Sequence, residues 1–280
     1  MGFINFILNL AALLIWLKWR TADLITPVTR PDRSLLSTLK RAEAPRQPRW
    51  LPPAMLAVLL GLRSVFYWNI GSAVNWVPSL HLMVIAPSFR SDWLGRMVLF
   101  SLSSFGLTLV IYYICLLLLS VVNRGLPEND PLQKLTRYQL GFVDRWPLTL
   151  KLALPFISGT LLWAAFTTPF SRLGIIPAPD STFHLWEQAL VIGLHGYLPW
   201  KLLVIGLLLF HVVNSYVFLG NLAFWQYVND TSQNLLTPLR NLPLRLGRLD
   251  FAPLLGVGLV LLLSELAQRG LAKLYPLLPY

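Results

Sequence analysis

The stretch Met97-Val-Leu-Phe-Ser-Leu-Ser-Ser-Phe-Gly-Leu-Thr-Leu-Val-Ile-Tyr-Tyr-Ile-Cys-Leu-Leu-Leu-Leu-Ser-Val-Val122 contains no Asp, Glu, Lys or Arg. Coiled as an α-helix it is about 39 Å long, longer than the ~30 Å hydrocarbon core of a bilayer. Five further runs read the same way: Phe3–Trp19, Pro53–Ser72, Leu150–Pro169, Trp200–Tyr227 and Ala252–Leu271. The first is short, and the fifth is long enough to tilt or to extend beyond the bilayer. The expected fold is an all-α integral membrane protein with about six transmembrane helices.

Composition agrees. Of 280 residues, 55% are hydrophobic and 12% charged, about half the charge of an ordinary soluble domain. Too little polar surface remains to cover a soluble protein of this size. Met1–Trp19 lacks a preceding basic region and an Ala-x-Ala cleavage site, so it reads as the first membrane helix rather than as a removable signal peptide.

The net charge is +11, and its placement decides what it means. Sixteen of the 23 basic residues lie in the linkers after the first, third and fifth spans. The alternate loops, 73–96 and 171–199, contribute only Arg90, Arg96 and Arg172. The positive-inside rule therefore places the linkers in the cytoplasm, against anionic lipid headgroups, and both termini outside. This expectation is of membrane-lipid partners and no nucleic acid, in a bacterial cytoplasmic (inner) membrane. Arg63 and Lys201 are read as side chains that snorkel from span ends. The outer loops mix apolar and aromatic residues, among them Trp76, Ile85, Phe183 and Trp186, and read as interfacial or shallow re-entrant segments.

An internal repeat organises the chain. Gly141-Phe-Val-Asp144-Arg-Trp-Pro147 parallels Gly247-Arg-Leu-Asp250-Phe-Ala-Pro253, each just before an apolar run, and Asn129-Asp130 parallels Asn229-Asp230. Ser79-Leu-His81-Leu likewise parallels Thr182-Phe-His184-Leu. Three units follow: 1–72, a degenerate helix pair with a basic linker; 73–169, an amphipathic loop and second pair; 170–280, an amphipathic loop and third pair. In this skeleton Asp144 and Asp250 read as caps for the helix after them. Pro147 and Pro253 pre-set the first turn, and Gly141 and Gly247 permit a positive-φ turn.

The third unit carries a further pattern. Pro238-Leu-Arg240-Asn-Leu-Pro243, followed by Gly247, Asp250 and Pro253 before an apolar helix, resembles the signature of the YggT family. Those small bacterial and plastid membrane proteins place a P-x-R-x-x-P…G-G-x-D-x-S-P-like linker between paired helices. The resemblance is best over 200–271 and weaker over 97–169. Arg248 and Ala252 stand where the family has a second glycine and a serine. It implies roles in envelope organisation and division, in osmotic tolerance, or, in plastids, in assembly of a haem-bearing cytochrome.

The chemistry-bearing residues are sparse. No zinc motif, phosphate loop or nucleophile elbow is present, the 12 acidic residues are scattered, and Cys115 is alone, so no internal disulfide or thiolate cluster forms. His81, His184, His195 and His211 are the candidates for cofactor or polar work; His184 and His195 are about three helical turns apart and cannot grip one metal together. Neither an enzyme activity nor a metal is expected, and no cofactor is assigned. The function expected is a non-catalytic scaffold or accessory subunit that associates with other membrane proteins or with itself. Two alternatives stay open: a channel or transporter for an ion or osmolyte, with His211, Asn214, Ser215 and Asn221 along a pathway, and a haem or cytochrome assembly factor using a histidine as ligand.

Overall fold

The computed structural model describes residues 2–25, 48–80, 86–126, 130–177, 181–217, 220, 222–239, 245–246 and 249–274. Among these are nine α-helices: α1 (Gly2–Ile25), α2 (Leu51–Val74), α3 (Leu94–Val122), α4 (Pro131–Leu140), α5 (Leu148–Arg172), α6 (Thr182–His195), α7 (Pro199–Tyr216), α8 (Ala223–Leu235) and α9 (Ala252–Leu274). A two-residue antiparallel ladder, β1 (Arg245–Leu246) with β2 (Leu249–Asp250), precedes α9. Six segments are long and apolar enough to cross a membrane, so this is an all-α, multi-pass membrane protein.

Five of the six spans start and stop within three residues of the stretches read from the sequence. The fifth does not. The apolar segment runs over Thr182–Tyr216 and comprises α6 and α7, whereas the expected Trp200–Tyr227 run is cut at Tyr216. Val217 is extended, with φ −119° and ψ 114°, Gly220 has φ +91°, and Tyr227 falls inside α8. The helix therefore ends where Val217 turns extended, a break that hydrophobicity alone does not reveal.

Two compact units make up the chain: Met1–Leu80 with Ser88–Leu109, and His81–Pro87 with Val110–Tyr280. In the first, α1 packs on α2, and Ala12, Leu60 and Phe105 form a core flanked by Trp16, Leu56, Leu59 and Leu109. Asn75, at φ 48°, closes α2. The following loop is a turn with an isolated Ser79–Ser88 bridge rather than an interfacial helix over its described residues. Trp76 stacks edge-on against Tyr67 and Phe100 at 5.1 and 6.0 Å.

In the second unit α5 packs along α6, and α7 packs on α8 and α9. The α5–α6 contact is close because it is built on glycine: a Cβ on Gly193 would lie 2.8 Å from the Phe156 carbonyl oxygen, and one on Gly196 would lie 2.7 Å from that of Pro155. Trp163, Ala189 and Ile192 fill the space beside it. Over α6 this loop is thus a helix packed along α5, with Phe183, Trp186, Leu190 and Leu194 exposed on its other side. Between α6 and α7 the helical register breaks over three residues. Pro199 has no N–H to offer the His195 carbonyl, which instead accepts from Leu198 N at 3.0 Å.

The two linkers compared in the sequence fold differently. Gly141–Arg145 is a 3₁₀ turn, and Gly141 has φ +54°, whereas 245–250 holds the β ladder. Asp130 caps α4, its Oδ1 accepting from Leu132 N at 2.8 Å and Gln133 N at 3.1 Å, while Asn229-Asp230 sits within α8. Element order still matches between the parts: span, short amphipathic helix, turn, span, as α3-α4-turn-α5 and as α7-α8-turn-α9.

Candidate functional sites: buried polar clusters

Three clusters of polar side chains are buried within the helical layers. The first centres on Arg63, the thirteenth of the 24 residues of α2 and only 2% exposed. About 17 Å of helix extends on either side, so the side chain sits in the interior and does not snorkel from a span end. Its Nη1 donates to Asn9 Oδ1 at 2.6 Å and its Nη2 to Asn5 Oδ1 at 2.8 Å. Tyr67 Oη donates to the same Asn5 oxygen at 3.2 Å, and the Tyr67 ring centroid lies 5.4 Å from the guanidinium carbon. On α3, Ser104 Oγ accepts from Asn9 Nδ2 at 2.9 Å. The α-helical spacing builds the site: Asn5 and Asn9 share one face of α1, as Arg63 and Tyr67 share one face of α2.

The second cluster belongs to the second linker. Asp144 Oδ1 accepts from Ser120 Oγ of α3 at 2.5 Å and from Lys151 Nζ of α5 at 3.2 Å, and Lys151 also donates to Ser120 Oγ at 2.7 Å. Arg137 Nε of α4 lies 3.7 Å from Asp144 Oδ2. Asp144 is therefore not the cap of α5: the residue before that helix is Pro147, and no side chain caps it. Instead the carboxylate draws together α3, α4 and α5, and uses two of the basic residues that the sequence assigned to lipid contact.

The third cluster joins α3, α4 and α8. Asn123 Nδ2 donates to Thr231 Oγ1 at 2.8 Å, Gln133 Nε2 donates to the Asn123 carbonyl at 3.3 Å, and Asn234 Nδ2 donates to Asn123 Oδ1 at 3.3 Å. Tyr227 Oη reaches Gln133 Oε1 at 3.5 Å, and burial pushes its phenol above the usual tyrosine range. Asn123, Gln133, Thr231 and Ser232 are all buried.

Each described histidine is engaged by its own neighbours. Gln188 Nε2 donates to His184 Nε2 at 2.8 Å, which places the ring proton on Nδ1, 3.8 Å from Glu187 Oε2. His195 Nδ1 donates to the Val191 carbonyl at 2.8 Å on its own helix. His211 Nδ1 donates to Asn229 Oδ1 at 2.9 Å, a tie between α7 and α8. Ligation of a metal through His184 Nε2 would displace the Gln188 amide. Among the described residues, no three His, Cys, Asp or Glu side chains come together as a metal site. His81, Arg240, Pro243 and Gly247 lie outside the described residues, and of Asp250 only the backbone position, in β2, is described. Pro238 sits in a 3₁₀ turn, and Pro253, in the first turn of α9, is buried.

Sequence reasoning passed over Asn5, Asn9, Tyr67, Ser104, Asn123, Gln133 and Thr231. A signal was present for some: Asn5/Asn9 and Arg63/Tyr67 are i, i+4 polar pairs inside apolar helices, where hydrogen-bonding side chains act across helix interfaces. No protein-family model, no curated protein and no solved structure matches the chain, so the likeness to the YggT family rests on the motif residues of the third linker alone.

Proposed function

We propose that this chain is a non-catalytic scaffold or accessory subunit that associates with other integral membrane proteins at the cell envelope. One observation carries the reading. Polar side chains of the spans and of the short amphipathic helices tie the chain's own elements together, as in Arg63 with Asn5 and Asn9, Asp144 with Ser120 and Lys151, and Asn123 with Thr231. Large apolar side chains are turned outward: on α9, Leu254, Leu259, Leu262 and Leu266 are all exposed. Such a surface suits lipid and neighbouring membrane helices, whose association in a bilayer depends on packing rather than on hydrophobic burial. In this reading the basic linkers face the cytoplasm of an inner membrane and contact anionic headgroups, with both termini outside. The YggT-like linker fits the same envelope role.

Native mass spectrometry of the chain extracted from its own membrane in mild detergent tests this. Stoichiometric partner subunits are expected; a bare monomer overturns the reading.

A second reading, transport, draws on the break between α6 and α7 at Gly196–Leu198 and on the His211–Asn229 tie beyond it. Interrupted helices form substrate sites in many transporters. Flux of an ion or osmolyte in proteoliposomes, altered by His211→Ala, favours that reading; flux indifferent to the substitution counts against it.

A further inference from the structure

The last span carries an ion pair on the face turned away from its own chain. Arg269 Nε donates to Glu265 Oε1 at 2.8 Å, yet the two side chains remain 73% and 51% exposed. Glu265 is the fourteenth of the 23 residues of α9, with about 20 Å of helix before it and about 14 Å after it. On a helix that crosses a ~30 Å hydrocarbon core, the carboxylate lies inside the apolar layer. Ionisable side chains at such a depth almost always face protein or a water-filled space. The bond between them engages Nε, one of five N–H donors on a guanidinium, and lipid tails accept from none of the others. The inward face of α9 is already taken: Pro253 and Gly256 are buried, and a Cβ on Gly256 would meet the Leu208 and Leu236 side chains. Opposite to it, Gly258, Leu262, Glu265, Arg269 and Ala272 are all exposed. Their alternating steps of four and three residues are those of a seam between two helices in a left-handed pair.

We propose that α9 docks against α9 of a second copy of this chain, in a parallel pair in which Glu265 of each copy meets Arg269 of the other. Charge complementarity selects this occupant. Copies inserted the same way in one membrane lie parallel, and a twofold axis along the bilayer normal sets the face against itself. The acid and the base stand four residues, about 6 Å of rise, apart, a step that the long arginine side chain spans. Each copy therefore supplies the charge that the other needs, and the four groups alternate in sign with no net charge. At Gly258 nothing lies within 4 Å of an added Cβ, so the second helix can approach closely there. The pairing adds a second copy to the accessory reading above and stands whichever other subunits bind.

The test is disulfide formation in isolated membranes that hold the full chain in a Cys115→Ser background. Leu262→Cys puts a thiol on the shared face, and Leu263→Cys puts one at a residue that is also exposed but lies about 100° round the helix. Mild oxidation is expected to give a species of twice the chain mass with Leu262→Cys, and several-fold less of it with Leu263→Cys. Adding Glu265→Arg or Arg269→Glu alone should abolish the bond through 262, since all four groups then carry one sign. Co-expressing these two charge variants with tags of different size separates repulsion from misfolding: they are expected to cross-link with each other where neither does with itself. A bond as abundant through 263 as through 262 overturns the proposal. So does a bond through 262 that survives Glu265→Arg, or a co-expressed pair that stays uncrosslinked. Other subunits found in the native complex without the bond through 262 leave the accessory reading standing and overturn this one.

Discussion

Single residues decide how closely the helices of the second unit approach. A Cβ on Gly193 would lie 2.1 Å from Thr160 Oγ1 and 2.8 Å from the Phe156 carbonyl oxygen. The hydroxyl can rotate away, but the carbonyl belongs to the backbone of α5. Gly193→Ala should therefore cost about 1–3 kcal/mol, the usual range for overpacking. Gly206→Ala in α7 is the control: nothing lies within 4 Å of the added methyl, and alanine gains up to about 1 kcal/mol over glycine in a helix. Denaturant unfolding in detergent should separate the two variants in opposite directions. Asp144→Asn should also destabilise. It leaves Lys151, 9% exposed at its side chain, without its nearest carboxylate. The cost of about 3–5 kcal/mol for a fully buried pair is reduced here because the Asp144 side chain is 19% exposed, so about 2 kcal/mol is expected. Replacing Lys151 by Met as well should recover part of the loss, and a double-mutant cycle reads the coupling. Gly141's turn was legible because a positive-φ position is a one-residue property. The partner of Asp144 was not, because Ser120 is 24 positions away and nothing local distinguishes a cap from a counter-ion.

At the scale of elements, α4 and α8 show what an amphipathic helix in a membrane protein can bury. Their inward faces carry Gln133 and Thr136 on one side and Tyr227 and Thr231 on the other, so polar side chains are buried between α4 and α8, while Ser232 turns to the Leu207 carbonyl of α7. Thr231→Val keeps the shape and removes the partner of Asn123 Nδ2. It should cost about 1–2 kcal/mol, the range of an interhelical hydrogen bond in a membrane protein, measured as a lowered midpoint of thermal unfolding. Tyr227 adds a pH dependence. Its folded pKa is raised above the unfolded value by burial, so its contribution is fully present below the unfolded pKa of about 10 and is lost as pH rises through the higher folded pKa. Wild type should therefore lose more stability than Tyr227→Phe between pH 9 and 11; parallel losses in the two proteins would contradict this. Spans that stay apolar over about 20 residues were readable from hydropathy. The α7–α8 boundary was not, since Gly220 lies between two apolar stretches and only its backbone angle separates them.

Across the whole molecule, the number of spans was legible because the ~30 Å hydrocarbon core imposes a length of about 20 residues on any helix that crosses it, whatever that helix packs against. Side-chain pairing escapes such a rule, and the Arg63 cluster illustrates why: its members come from α1, α2 and α3, and the bonds tying α1 to the other two helices join residues 54 to 99 positions apart in sequence. Orientation lies between these cases, since it depends on a statistical preference of the insertion machinery for retaining Lys and Arg on one side. With 16 of 23 basic residues in the three linkers, that preference makes a firm prediction. In a Cys115→Ser background, a cysteine at Lys134 on the exposed face of α4 and one at Asp92 in the first outer loop should label from opposite sides. A membrane-impermeant maleimide added to intact cells should modify the cysteine at 92, and should reach the one at 134 only after permeabilisation. Labelling of 134 alone from outside would invert the orientation and place the basic linkers away from anionic cytoplasmic lipid. Both sites labelling from outside would mean that an odd number of the apolar segments between residues 92 and 134 does not cross, which bears directly on α3, the sole long helix in that interval.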